Sequence, residues 1–137
     1  MRRRPLLVIV AAILISALAI WIGLRDAARK KREIGYTSAL MAYSNALRPG
    51  MTRKEVEEYL RSGNTNFTWI YTAFGGRRES QYADIIKIGE EAAPWFCSDV
   101  DIYIALEFWP DDHHRQIQTD SDVLQRVEIF RLYGNCL

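Results

Sequence analysis

Hydrophobic and polar positions change rhythm three times along the chain. From Pro5 to Leu24 the stretch PLLVIVAAILISALAIWIGL is apolar throughout and carries no charge. About 20 such residues are enough to cross a bilayer core as a helix. From Asp26 to Leu47 the rhythm becomes amphipathic. Ile34, Thr37, Met41, Ser44 and Leu47 recur at spacings of three and four, with Leu40 alongside. That spacing predicts a helix continuing out of the apolar segment, with its face on those residues. Pro49-Gly50 ends it, because proline removes a donor and disfavours helical geometry at Arg48.

Gly50-Met51-Thr52-Arg53-Lys54-Glu55-Val56-Glu57-Glu58-Tyr59-Leu60 reads as the start of a second, short helix. Thr52 and Glu55 form a capping-box pattern, and Met51 can staple against Val56. Val56, Tyr59 and Leu60 make its apolar stripe, Glu57 and Glu58 face water, and Gly63 supplies a left-handed stop.

The third rhythm has a period of two. Phe67 to Ala73, Tyr82 to Ile88, Val100 to Trp109 and Leu124 to Tyr133 read as strands. Gly75-Gly76-Arg77-Arg78 and Pro110 to Asp122 read as loops, and Glu90 to Asp99 as irregular chain. Val100 to Trp109 alternates most cleanly. Val100, Ile102, Ile104, Leu106 and Phe108 share one face, and Asp101, Tyr103, Ala105, Glu107 and Trp109 the other. The order predicts an α+β fold: an N-terminal transmembrane helix, then two helices packed on one face of a small antiparallel sheet of three or four strands. Residues 1–32 would be the anchor and 33–137 the folded domain. Ile102, Ile104 and Leu106 should meet Leu40, Val56 and Leu60.

Charge sharpens this division. Residues 1–32 hold eight Lys and Arg against the single acid Asp26, while residues 33–137 hold ten basic and 16 acidic residues. An acidic domain argues against nucleic acid as a partner, because phosphate binding needs clustered positive charge. The basic residues flank the apolar segment, where they meet anionic headgroups or set topology. Arg2 to Arg4 before the segment favour an exported domain. Arg29 to Arg32 after it favour a cytoplasmic one. A cleaved signal peptide with Ala17-Leu18-Ala19 as its cleavage box is a third arrangement.

Cys97 and Cys136 are the only cysteines. An even pair fits a disulfide in an oxidising compartment, and two unpaired thiols are the alternative. Candidate chemistry is otherwise thin. Asp111-Asp112-His113-His114 invites a metal, but adjacent histidines diverge on a strand, so the cluster reads as a solvated loop. Acidic neighbours Asp99 and Asp101 disfavour a reactive thiolate at Cys97. No catalytic residue, cofactor or metal is expected. The aromatic positions offer a binding surface instead. With helices over the Ile102/Ile104 face, Tyr103, Trp109, Phe130 and Leu132 would share the opposite face as a partner-binding patch. Alternatively the Glu90–Asp99 segment folds over that face, with Trp95 and Phe96 filling it.

Leu47-x-x-Gly50-Met51-Thr52-x-x-x-Val56-x-x-x-Leu60, followed by strands, resembles the opening of the SmpA/OmlA family, the BamE-like domain. That domain is similar in fold to β-lactamase-inhibitor-protein repeats. The resemblance implies two helices on an antiparallel sheet and a bacterial envelope protein that binds other proteins. The sequence departs from the family where Leu60 is followed by Arg61-Ser62-Gly63 rather than Gly-x-Pro, and where the first cysteine is Cys97 rather than a lipid-bearing one near the start. The expectation is therefore a single-span inner-membrane protein, anchored in the bilayer through residues 5–24, with a periplasmic domain. It would act as a non-catalytic assembly module with an envelope protein partner. An inhibitory domain that binds an envelope enzyme is the alternative.

Overall fold

The computed structural model describes residues 3–72, 81–109 and 118–136. Two helices, α1 (Arg3–Ala46) and α2 (Arg53–Ser62), precede four strands: β1 (Thr68–Thr72), β2 (Gln81–Glu91), β3 (Asp99–Trp109) and β4 (Val123–Gly134). The strands form one antiparallel sheet in the order β1-β2-β3-β4. The fold is α+β. The chain divides into two compact units, residues 1–35 and 36–137.

The first unit is helical. α1 carries one segment long and apolar enough to cross a membrane, and none of that segment is buried. The apolar segment and the first domain helix form one continuous element, as the spacing after Asp26 predicts, so two helices are described, α1 and α2. No proline or glycine pair interrupts residues 24–35, and the arginines and lysines there are good helix formers.

In the second unit Leu40 and Tyr43 of α1, with Leu47 just past its end, join Val56 and Leu60 of α2 in one core. Ile86, Ile104, Leu106, Phe108 and Leu124 supply the rest. Each aliphatic side chain removed from water there contributes about 1.5–3 kcal/mol. The buried stripe of α1 differs from the expected one. Ile34 and Met41 are 69% and 60% exposed, whereas Tyr36 and Leu47 are buried. The stripe is Tyr36, Leu40, Tyr43 and Leu47, at spacings of four, three and four.

Tyr36 explains the choice. Its ring packs with Ile88, Val100 and Ile102 and lies against Gly89, where an added Cβ would sit 2.8 Å from Tyr36 Cε1. A shift of register between Lys87 and Gly89 places that glycine beneath the ring. Pairing resumes beyond it, so β2 runs to Glu91 rather than stopping at Ile88.

α2 begins and ends with defined devices. Thr52 and Glu55 form the full capping box, and Met51 packs on the same core as Val56. Gly50 turns the chain with φ +97°, a conformation open to glycine. Residues 50–53 are then joined to the start of β4 and the residue before it. Gly50 N–H donates to Leu124 O at 2.8 Å, Leu124 N–H to Met51 O at 2.8 Å, and Arg53 N–H to Asp122 O at 2.7 Å.

At the other end the left-handed residue is Asn64 (φ 52°), not Gly63 (φ −82°). Thr65 N–H reaches Leu60 O and Asn64 N–H reaches Arg61 O, the two bonds of a Schellman stop. Asparagine tolerates this region, so the helix ends one residue later than the glycine suggested. Tyr59, expected on the apolar stripe, is 45% exposed, and the buried positions of α2 are Arg53, Val56 and Leu60.

Candidate functional site

The most tightly built polar site lies beneath α2. Arg53 stands three residues before Val56 and seven before Leu60, so helical geometry turns it inward with them. Its side chain is 2% exposed. Nη1 donates to Asp84 Oδ1 at 2.5 Å, Nε lies 3.7 Å from Asp122 Oδ2, and the guanidinium sits 4.1 Å over the Phe108 ring. Asp84 is there because β2 alternates Asp84, Ile86 and Ile88 on the helix side. Asp122 is fixed from its own loop, accepting from Thr119 N–H at 3.0 Å and Thr119 Oγ1 at 2.7 Å.

Burial pushes the Asp84 carboxyl up to about 6, against the pull of Arg53, with Glu57 adding a small upward push. Arg53 Nη2 and Asp84 Oδ2 have no hydrogen-bond partner among the described residues. Closed over by Phe108 and α2, the site is a clamp joining α2 to β2 and to the loop before β4.

The opposite face of the sheet carries the residues singled out from the alternation. Tyr103 pairs with Phe130, and Leu132 lies two residues further along β4, across from Asp101. Tyr103 and Phe130 pack on Ala83, Ile85 and Ala105, a small second core. Trp109 shares the parity of Tyr103 on β3 but pairs with Val123. Six residues of extended chain put it roughly 20 Å from Tyr103. The structure therefore brings Tyr103, Phe130 and Leu132 together and leaves Trp109, 42% exposed, at the far end.

Around Tyr103 runs a polar network. Lys87 Nζ lies 2.5 Å from Glu90 Oε1 and 2.9 Å from Asp101 Oδ1, and Tyr103 OH donates to Asp101 Oδ2 at 3.1 Å. The hydrogen bonds that Lys87 donates to Glu90 and Asp101 hold its ammonium above its ordinary range. The hydrogen bond from Lys87 holds Asp101 below its own. Burial, then the bond to Asp101, raises the Tyr103 phenol.

A disulfide joins Cys97 to Cys136. It links the chain just before β3 to the chain just after β4. Trp95 in the same segment is 92% exposed and meets Phe96 edge to face at 5.8 Å. Trp95 therefore does not fill the sheet face, as one reading of the Glu90–Asp99 segment required. Another aromatic group escaped the sequence reading. Trp69 and Tyr71 on the outer strand β1 both contact Tyr82 on β2, at 5.9 and 4.6 Å between rings, and are 60% and 55% exposed. The alternation of Trp69 and Tyr71 was the available signal. Asp111, Asp112, His113 and His114, like Gly75 to Arg78, lie outside the described residues. The chain matches no protein-family model, no curated protein and no solved structure.

Proposed function

We propose that this chain is a single-span, membrane-anchored domain on the outer side of a bacterial inner membrane, where it binds another envelope protein and catalyses no reaction. The observation that carries this reading is the apolar first half of α1. Leu14, Ile15, Leu18, Ile20 and Leu24 are each more than half exposed, an arrangement stable in lipid and costly in water. The Cys97–Cys136 disulfide favours an oxidising compartment. The capped Gly50–Leu60 element followed by an antiparallel sheet keeps the likeness to the BamE-like domain, and with it the binding-module role and two helices seated on one face of the sheet. The docking surface in this reading is the sheet face of Tyr103, Phe130 and Leu132, with Trp109 at its end.

Compartment and contact are tested separately. The native chain is extracted with thiols trapped and without reductant. A mass two hydrogens light and free of alkylation supports the exported domain, and alkylation of both cysteines removes it. A photo-crosslinking residue is then placed at Leu132 or Trp109, with exposed Glu58 on α2 as the control. One defined adduct from the sheet face and none from Glu58 supports the docking surface. Equal adducts from all three positions, or none, would sink it.

A further inference from the structure

We propose that Trp21, Arg25, Arg29 and Arg32 form a binding site for the phosphodiester headgroup of an anionic phospholipid. The proposal rests on the membrane-anchored reading above. Arg25, Arg29 and Arg32 follow one another at spacings of four and three, which puts them on a single helix face. The row spans roughly 10 Å at the helical rise. Trp21 and Ile22 lie one turn below on that face, and the group lines an open groove of about 300 Å³, with Asp26 at its edge. The Arg25 guanidinium stacks over the Trp21 ring at 4.5 Å.

Three features point to a lipid rather than to water. The groove runs from Trp21 to Arg32 across the end of the apolar segment at Leu24, the depth at which tryptophan rings sit among headgroups. Stacking on Trp21 fixes the plane of one guanidinium while its N–H edge stays free for a phosphate oxygen. Three cations at i, i+4 and i+7 also repel one another along a helix, and among the residues lining the groove only Asp26 sets a carboxylate against the three. An anion seated in the row removes that repulsion. Lys30 and Lys31 lie off this face, about 100° or more around the helix from the arginine row. They belong to the general positive field rather than to the groove.

The test uses the full chain in nanodiscs of phosphatidylcholine with a minority of phosphatidylglycerol. Lipids retained on release are counted by native mass spectrometry. Two charge-matched variants are compared, Arg25→Gln with Arg29→Gln, and Lys30→Gln with Lys31→Gln. The site predicts preferential retention of phosphatidylglycerol by the native chain. That preference should fall by about tenfold or more in the arginine variant and change by no more than about twofold in the lysine variant. Equal losses in both variants, or no preference in the native chain, would overturn the site in favour of diffuse charge. Displacement of phosphatidylglycerol by inorganic phosphate would assign the groove to a soluble anion and overturn the lipid. Failure of the chain to enter nanodiscs at all would overturn the anchored reading itself, an outcome separate from loss of selectivity.

Discussion

Two ion pairs in this domain have the same length and opposite circumstances. Arg53 and Asp84 meet at 2.5 Å with both side chains 2% exposed. Lys87 and Glu90 also meet at 2.5 Å, but at 43% and 70% exposure. Distance therefore says little about what either pair does. The exposed pair exchanges one set of water contacts for another and is screened by salt. The buried pair has given up its water, so each partner depends on the other. The danger lies in separating them rather than in lacking both.

The largest break should come from removing one buried partner. Arg53→Ala leaves Asp84 sealed under α2 without its cation and is expected to cost about 3–5 kcal/mol, read from the denaturant midpoint at pH 7. A loss below about 1 kcal/mol would mean that water reaches the site.

Next in size is a pH effect of unusual sign. The folded-state value of Asp84 is about 6, above the unfolded value of about 3.9, so the folded state binds the proton more tightly. Its contribution to stability is full below about pH 4 and is lost as pH rises through about 6, a change on the order of 3 kcal/mol. Asp101 runs the other way. Its value is lowered, so its contribution is present above about pH 4 and is lost as pH falls. The native domain should lose stability between pH 4 and 6, and Asp84→Asn should abolish that decline. An identical pH profile in the variant would remove Asp84 as its source.

Replacing both partners sharpens the comparison further. Arg53→Met with Asp84→Leu should recover most of the loss seen for Arg53→Ala, ending within about 1–2 kcal/mol of the native domain. A double variant no better than the single one would show that the contact with Asp122 and the stacking on Phe108 carry the site. The smallest effect belongs to the exposed pair. Lys87→Ala should move the denaturation midpoint by no more than the scatter of the measurement, with any residual difference vanishing in molar salt. A clear shift that persisted in salt would promote the Lys87–Glu90–Asp101 network to a structural role.

The elements were legible because each announced itself by a period and a stop. The uncharged run from Pro5 to Leu24, the Thr52–Glu55 box and the alternation of Val100 to Trp109 all map onto the elements that form. The core face of α1 was misread because the choice between two equally spaced stripes was made at a distance, by Gly89 making room for the Tyr36 ring. The clamp was missed for a similar reason. Arg53 and Asp84 each sit in step with buried neighbours, Val56 and Leu60 in one case and Ile86 in the other. A charge in an apolar stripe reads as a surface position until its opposite appears 31 residues away. The sheet-face group was half legible. Alternation gives the face of Tyr103 and Trp109, but only the register of β4 shows that Phe130 joins the first and not the second.

The junction of Gly50 to Arg53 with Asp122 to Leu124 bears on how the domain comes to fold. It connects stretches roughly 70 residues apart, so these contacts must close a loop nearly as long as the domain itself. The capping box and the Schellman turn are local and can flicker into place in microseconds. The anchoring of α2 has to wait for β4, and so does the neutralisation of Arg53 by Asp122. Substitutions at Leu124 should therefore act mainly on the unfolding rate if the strand docks after the barrier, and on the folding rate if its docking is the barrier. A sheet built strand beside neighbouring strand would otherwise assemble in simple sequence. This long-range stitch makes its completion a matter of the second helix meeting the last strand.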